Sequence, residues 1–224
     1  MRPAVQVVIS NNVVSDYYDV NDNIRAIVAT MADRPYHHGN LRAELLTEAE
    51  RTLREQGIDQ LSLRDLARQA GVSHAAPRRH FADRQALLDA LAEAGFLRLG
   101  DELRAAIEAA GDDYEAQLRA AATAWIRFAT QDAALLELMY AVKRGQHSAA
   151  VDNAFGRLLT AFEDLIRRGQ RAGQLQAGDP GRVRLLIFAA IQGIAALVTS
   201  GGVAAGQTDE LIADTVALFT RAPR

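Results

Sequence analysis

The chain has 224 residues, 49% of them hydrophobic and 24% charged, a balance that supports a sizeable buried core and excludes a disordered polar tract. Cysteine is absent, which excludes disulfides and cysteine-ligated metals, and a net charge of −3 excludes a protein that coats nucleic acid with an all-over basic surface. The longest apolar run, Leu185 to Val198 with Gln192 inside it, is shorter than the roughly 20 residues of a membrane span, so the expectation is a buried helix, no membrane partner and a cytoplasmic protein.

Residues 1–33 stand apart from the rest of the chain. Val5, Val7 and Ile9 alternate weakly like a strand, and Asn-Asn, Ser-Asp and Asn-Asp-Asn interrupt the pattern. The basic start and apolar centre of a signal peptide are missing. The segment reads as an N-terminal extension, either a disordered arm or a stretch ahead of a natural start at Met31. The second is favoured, because so little apolar surface cannot offset the entropy of ordering.

From Asn40 onward strong helix formers dominate, and an all-α fold of nine helical segments is expected. The segments fall at about 41–56, 63–70, 74–80, 84–109, 113–130, 133–142, 149–171, 180–200 and 208–220, from apolar periodicity and from glycine, proline and capping signals. They divide into two regions: a basic head over 34–84 and a larger helical region over 85–224. Residues 34–84 hold nine arginines against seven acidic residues, and within 64–84 there are five arginines against two aspartates. The positive charge is therefore local, the footprint expected of a compact element that reads nucleic acid.

The stretch Leu61 to Phe81 is the most informative. Ser62 followed by Asp65 reads as a capping box that opens a helix, with Leu63, Leu66 and Ala67 on its inner face. Gly71 supplies the positive φ of a tight turn and Val72 plugs the corner. Ser73 caps the next predicted helix, 74–80, which presents small residues first and then Arg78, Arg79 and His80, with Phe81 anchoring its end. Pro77 is expected to be tolerated in the first turn, where amides largely lack helical partners. Two short helices joined by a glycine turn make a helix-turn-helix, whose second helix enters the DNA major groove. The expected DNA contacts are Ser62, Arg64, Ser73, His74, Ala75, Arg78, Arg79, His80 and Arg84. Arginine reaches phosphates or guanine edges, and small residues let the backbone approach bases closely.

On these residues the head resembles the DNA-binding domain of the TetR family of bacterial repressors. The resemblance rests on Leu41-Arg42-Ala43-Glu44-Leu45-Leu46, Gln56-Gly57, Leu61-Ser62-Leu63-Arg64-Asp65-Leu66-Ala67, Ala70-Gly71-Val72-Ser73, His80-Phe81 and Arg84-Gln85-Ala86-Leu87-Leu88. His37-His38-Gly39-Asn40 and Ser73-His74-Ala75-Ala76-Pro77 resemble one subgroup of that family. The resemblance implies a TetR-like architecture, a homodimer through the last two helices, and release of DNA on ligand binding. The family often has an aromatic where Arg78 stands and a lysine where Arg84 stands.

Residues 98–224 resemble the family's variable C-terminal domain more loosely. In the eighth helix one subgroup carries Trp, His and Gly where this chain has Phe188, Gln192 and Gly193, so only the glycine is kept. Trp125, Phe128, Met139, Tyr140, Phe155, Phe162, Phe188 and Gln192 are candidate pocket residues, since ligand sites between helices are mostly apolar with a few polar groups. Taken singly, each aromatic is better explained as core, since buried aromatics mostly pack. Gln192 interrupts an apolar helix and needs partners, across a dimer, on a ligand or on a neighbouring backbone. The eighth segment is apolar on nearly all sides. With Leu211, Ile212, Val216 and Phe219 of the ninth it is expected to form half of a two-fold interface.

The predicted function is a DNA-binding transcriptional regulator, a repressor leaving a palindromic double-stranded operator when a small-molecule effector binds. Two other readings stay open: a DNA-binding regulator without a working pocket, and a helical enzyme. The sequence carries no metal-binding His pair on a helix, phosphate-cradling glycine loop or serine elbow. Neither a cofactor nor a metal is expected.

Overall fold

The computed structural model describes residues 41–220, and the expectations for residues 1–33 and for His37 to Asn40 lie outside them. Among the described residues eight α-helices run in chain order: α1 Leu41–Gln56, α2 Leu63–Gln69, α3 Arg84–Ala109, α4 Tyr114–Gln131, α5 Ala133–Arg144, α6 Ala149–Arg171, α7 Pro180–Thr199 and α8 Thr208–Thr220. Among the described residues there is no strand, and the all-α class stands.

The third expected segment, 74–80, is not an α-helix. Residues 74–76 form turns, and only Pro77–Arg79 form a short 3-10 helix. Pro77 is the cause. It has no N–H to give the Ser73 carbonyl, and its ring crowds that carbonyl. The Ser73 oxygen is instead taken by Ala76 N–H at 2.9 Å, and Arg79 N–H and His80 N–H likewise reach back three residues, to Ala76 and Pro77. Only Phe81 N–H spans four, to Pro77 at 2.9 Å.

Elsewhere the local signals act as expected. In α1, Leu45, Ala49, Thr52 and Leu53 repeat at helical spacing and are buried. Ser62 caps α2, accepting from Asp65 N–H at 3.1 Å and donating to the Asp65 carboxylate at 2.6 Å. Gly71 takes φ 67°, a value that side chains resist, and closes the turn after α2. Asp83 caps α3 through Ala86 N–H at 2.8 Å.

The axis of the fold is α3. Its first turns complete the head, where Leu87 and Leu88 pack with Leu45, Leu66 and Phe81 in the core. Its remaining length is the centre of the larger bundle, packed against α6, α4 and α5. Phe96, Leu99 and Leu103 are almost fully buried there. Gly95 lets α5 come close: a Cβ at that position would stand 2.6 Å from the Met139 sulfur. α7 packs on α4, α6 and α8, and α8 on α4 and α7.

Charged side chains cross from the head to the bundle. Arg54 on α1 pairs with Glu50 at 3.0 Å and with Asp132, between α4 and α5, at 2.9 Å. Arg98 on α3 pairs with the same two carboxylates at 2.8 and 3.2 Å, and its guanidinium lies 5.1 Å from the centre of the Phe128 ring. Partly exposed pairs are individually weak. Four charges sharing two helices and a corner hold one geometry better than any isolated pair.

The expectation of a wholly buried helix near 180–200 meets a half-buried one. α7 is long and apolar enough to cross a membrane by length and composition, yet only one side is covered within the chain. Val183, Ile187, Ile191, Ile194 and Ala195 face inward, while Leu185, Leu186 and Leu197 are 59%, 53% and 47% exposed. A helix apolar all round needs neighbours on every side, and a single chain supplies them on one.

Candidate functional site

Two sites are built along α3, one at its first turns and one at its middle. The first is the tip of the head. Pro77 and Phe81 are buried, and the short turn they anchor packs on α2. Before and between these anchors Ser73, His74, Ala75, Arg78, Arg79 and His80 are all exposed. Buried anchors at both ends of a run of exposed donors give a stiff, basic projection.

The remaining expected contacts are placed differently. Arg64 is exposed on α2. The Ser62 hydroxyl is engaged in the helix cap, and together with Arg68 it holds the Asp65 carboxyl below its ordinary range. Arg84 braces the head from within, donating from Nε to the Leu61 carbonyl at 2.9 Å and from Nη2 to the Ile58 carbonyl at 2.6 Å. Arg42 was not among the expected contacts; its guanidinium lies 5.5 Å from the centre of the Phe81 ring beside the projecting turn. Its signal was present, as a basic residue one step inside α1, but its closeness to Phe81 is tertiary.

The second site is a cavity of about 200 Å³ lined by α3, α4, α5, α6 and α7. Of the expected pocket residues, Trp125, Tyr140, Phe155, Phe162 and Phe188 line it. Phe128 and Met139 do not; they are core, 1% and 0% exposed. Gln192 lies outside the lining and accepts a hydrogen bond from Trp125 Nε1 at 2.7 Å. That partner is a neighbouring side chain, none of the three uses foreseen for it.

The walls are aromatic and meet edge to face: Phe96 with Phe155 at 5.2 Å between ring centres, Trp125 with Phe188 at 5.0 Å and with Phe162 at 6.2 Å. Two polar groups enter this lining. The Tyr140 hydroxyl is buried without a partner, and burial pushes its pKa up to about 12. Arg184 was not foreseen. Its Nε is buried and unbonded, 3.7 Å from Glu163 Oε1, close enough for attraction and too far for a hydrogen bond.

Comparison with known proteins decides what this arrangement is. The family described as bacterial regulatory proteins, tetR family, matches residues 45–91, and the description tetracyclin repressor-like, C-terminal domain, matches residues 118–219. The chain belongs to the TetR family. No curated protein matches it. Among solved structures, a protein of unknown function from Rhodococcus sp. RHA1 is 43% identical, with a TM-score of 0.77 over 84% of this chain and 100% of the other. PfiT, described as a superantigen, is 18% identical, with a TM-score of 0.68 over 82% of this chain and 97% of its own. The TetR family regulator PfmR from Thermus thermophilus is 19% identical, with a TM-score of 0.61 over 80% and 98%. The last two likenesses concern the fold alone.

This TetR protein is therefore a DNA-binding transcriptional regulator with a helix-turn-helix head. TetR proteins are regulators, not enzymes, and they are soluble proteins that bind DNA as dimers and respond to small molecules. In this one the second element of the helix-turn-helix is shortened by Pro77 to a 3-10 turn.

Proposed function

We propose that the protein is a cytoplasmic homodimeric repressor, with a DNA-binding head over 34–84 and a sensing and dimerising region over 85–224, released from a palindromic operator by a small effector. It needs no cofactor and performs no catalysis. The observation that carries this reading is that one helix, α3, both completes the head and walls the cavity: Leu87 and Leu88 pack in the head, and Phe96 two turns on lines the cavity. A ligand that moves α3 changes where the head points.

The proposed DNA contacts are Ser73, His74, Ala75, Arg78, Arg79 and His80 on the projecting turn and Arg64 on α2. Arg84 and Ser62 act through the head's geometry, orienting that turn. The dimer forms through the exposed apolar side of α7 together with α8, where Leu218 is 73% exposed. Ala189, Gly193 and Ala196 on that side allow close helix approach. Two-fold pairing sets the heads for half-sites about 34–36 Å apart. Leu185 belongs both to the exposed side and to the cavity lining, so occupancy of the cavity bears directly on the subunit contact. The effector acts only through its differential affinity for the two arrangements, and a coupling of about 1–3 kcal/mol is typical.

The test starts with selection of bound sequences from random DNA, followed by salt-dependent affinity on the winner. Arg79→Ala should weaken binding about tenfold and reduce the salt slope by about one. Unchanged affinity and slope would remove the turn from the interface.

A further inference from the structure

The cavity's chemistry narrows what it accepts, on the reading just given that it is the effector site. Its volume is about 200 Å³. A cavity of about 150 Å³ lined by apolar side chains holds benzene, so this one holds a single ring with a short arm. The crossed faces of Trp125, Phe188, Phe155 and Phe96 suit a flat apolar body.

The arm is specified by the two polar groups of the lining. Tyr140 keeps its proton at neutral pH and has no partner for it. Arg184 Nε–H is likewise buried and unused. Arginine donates and never accepts, and a protonated phenol is available as a donor. Both groups therefore ask for an acceptor. No carboxylate lines the cavity to receive a ligand amine. A cationic arm would meet the guanidinium and find nothing to pair with. Glu163 offers Arg184 Nε only a loose contact at 3.7 Å, too long for a hydrogen bond. A carboxylate arriving inside the cavity forms a shorter, charge-assisted hydrogen bond in a drier place.

We propose that the cavity binds a small aromatic carboxylate, its ring among Trp125, Phe155 and Phe188 and its carboxylate between Arg184 Nε and the Tyr140 hydroxyl. Binding gives both orphan donors the partner they lack.

Trp125 is the chain's one tryptophan and lines the cavity, so intrinsic fluorescence reports occupancy without DNA. The probes are 3-phenylpropanoate, the matched amide 3-phenylpropanamide and the matched amine 3-phenylpropylamine, titrated into the full chain. The acid should bind at least tenfold more tightly than the amide, and the amine should not bind. Arg184→Met should cost the acid at least tenfold and leave the amide unchanged, which also shows that the variant is folded. Tyr140→Phe should cost the acid a few-fold. An amide or amine that binds as tightly as the acid, or an Arg184→Met variant that binds the acid normally, overturns the carboxylate while leaving an occupied cavity. Failure of all three probes overturns the proposed ligand class. Operator affinity measured beside each titration separates the two readings: an acid that binds without changing it keeps the ligand class and ends the sensing role.

Discussion

The head and the bundle are built by different kinds of information. In the head, nearly every structural decision is local. A serine three residues before an aspartate opens α2, a glycine at φ 67° turns the chain, and an aspartate caps α3. In the bundle, what matters is convergence. The cavity takes residues from five helices, and neither Arg184 nor Tyr140 has a sequence neighbour that announces its role. A short element that must present the same face to DNA is served by stiffness encoded nearby. A pocket whose ligand changes from one protein to the next is served by side chains that meet only in the fold.

The sharpest way to break this comparison is to remove the anchor of the head. Phe81 is 2% exposed and anchors the end of the projecting turn in the core. Phe81→Ala should destabilise the head by about 3–5 kcal/mol, as large-to-small changes of buried phenylalanine do. The loss should be confined: amide hydrogen exchange should rise across 41–81 while Trp125 fluorescence in the bundle keeps its folded value. Equal exchange increases across α4 and α6 would mean that the two regions are one cooperative unit and that the head's local signals do not stabilise it separately.

That test also marks how far the sequence was legible. Helix limits along α1, α3, α6 and α8 come from stripes, caps and glycines, and they agree with the expected segments. The shortened element at 74–80 is a local effect that was open to reading: a proline four residues after Ser73 takes away the first i to i−4 bond, and the early-turn argument for tolerance misses the crowded Ser73 carbonyl. The bundle hid more. Five of eight expected residues line the cavity because aromatics on inward faces are common to cores and pockets alike, and Phe128 and Met139 fall on the core side of that ambiguity. Arg184 was invisible because an arginine in the first turns of an apolar helix reads as solvated. A two-fold contact on α7 was expected, but which of its residues stay exposed was invisible, because an all-apolar helix has the same pattern whether its own chain or a second copy covers it.

The second subunit is the next point at which the comparison can be sharpened. Leu186 is 53% exposed and does not line the cavity, so Leu186→Arg should leave the single chain folded and its cavity intact. It should place two cations at a two-fold contact. Sedimentation should shift from dimer to monomer, and operator affinity should fall by about a hundredfold or more as the two half-sites lose their linkage. Ligand titration by Trp125 fluorescence should move little. A dimer that persists with full operator affinity would assign the subunit contact to some other face.

The smallest expected effect lies where the regions meet. The loop between α5 and α6 is fastened to the first turns of α3: Ser148 N–H donates to the Asp89 carboxylate at 2.7 Å. Beside it His147 stands with Nε2 3.0 Å from Asp152 Oδ1 and Nδ1 2.8 Å from the Gly145 carbonyl. An acceptor at each ring nitrogen favours the doubly protonated ring. The Asp152 bond, then the Gly145 carbonyl, raise the His147 pKa above its ordinary value, against the opposing charge of Lys143, which is itself paired with Asp152. A raised folded pKa contributes stability that is fully present below the unfolded value of about 6.5 and is lost as pH rises through the folded value. Asp152 has the opposite sense, since Lys143 and then His147 lower its pKa, and its contribution fades only as acid titrates the carboxylate. Wild type should therefore melt above His147→Gln near pH 5.5, and the gap should close as pH climbs past the imidazole range. Hydrogen exchange at the first turns of α3 should track the same curve, because the loop that His147 stiffens is the one that grips Asp89. A melting gap that is flat across this range would leave the loop fastened by its backbone bond alone, with the histidine a bystander at the joint.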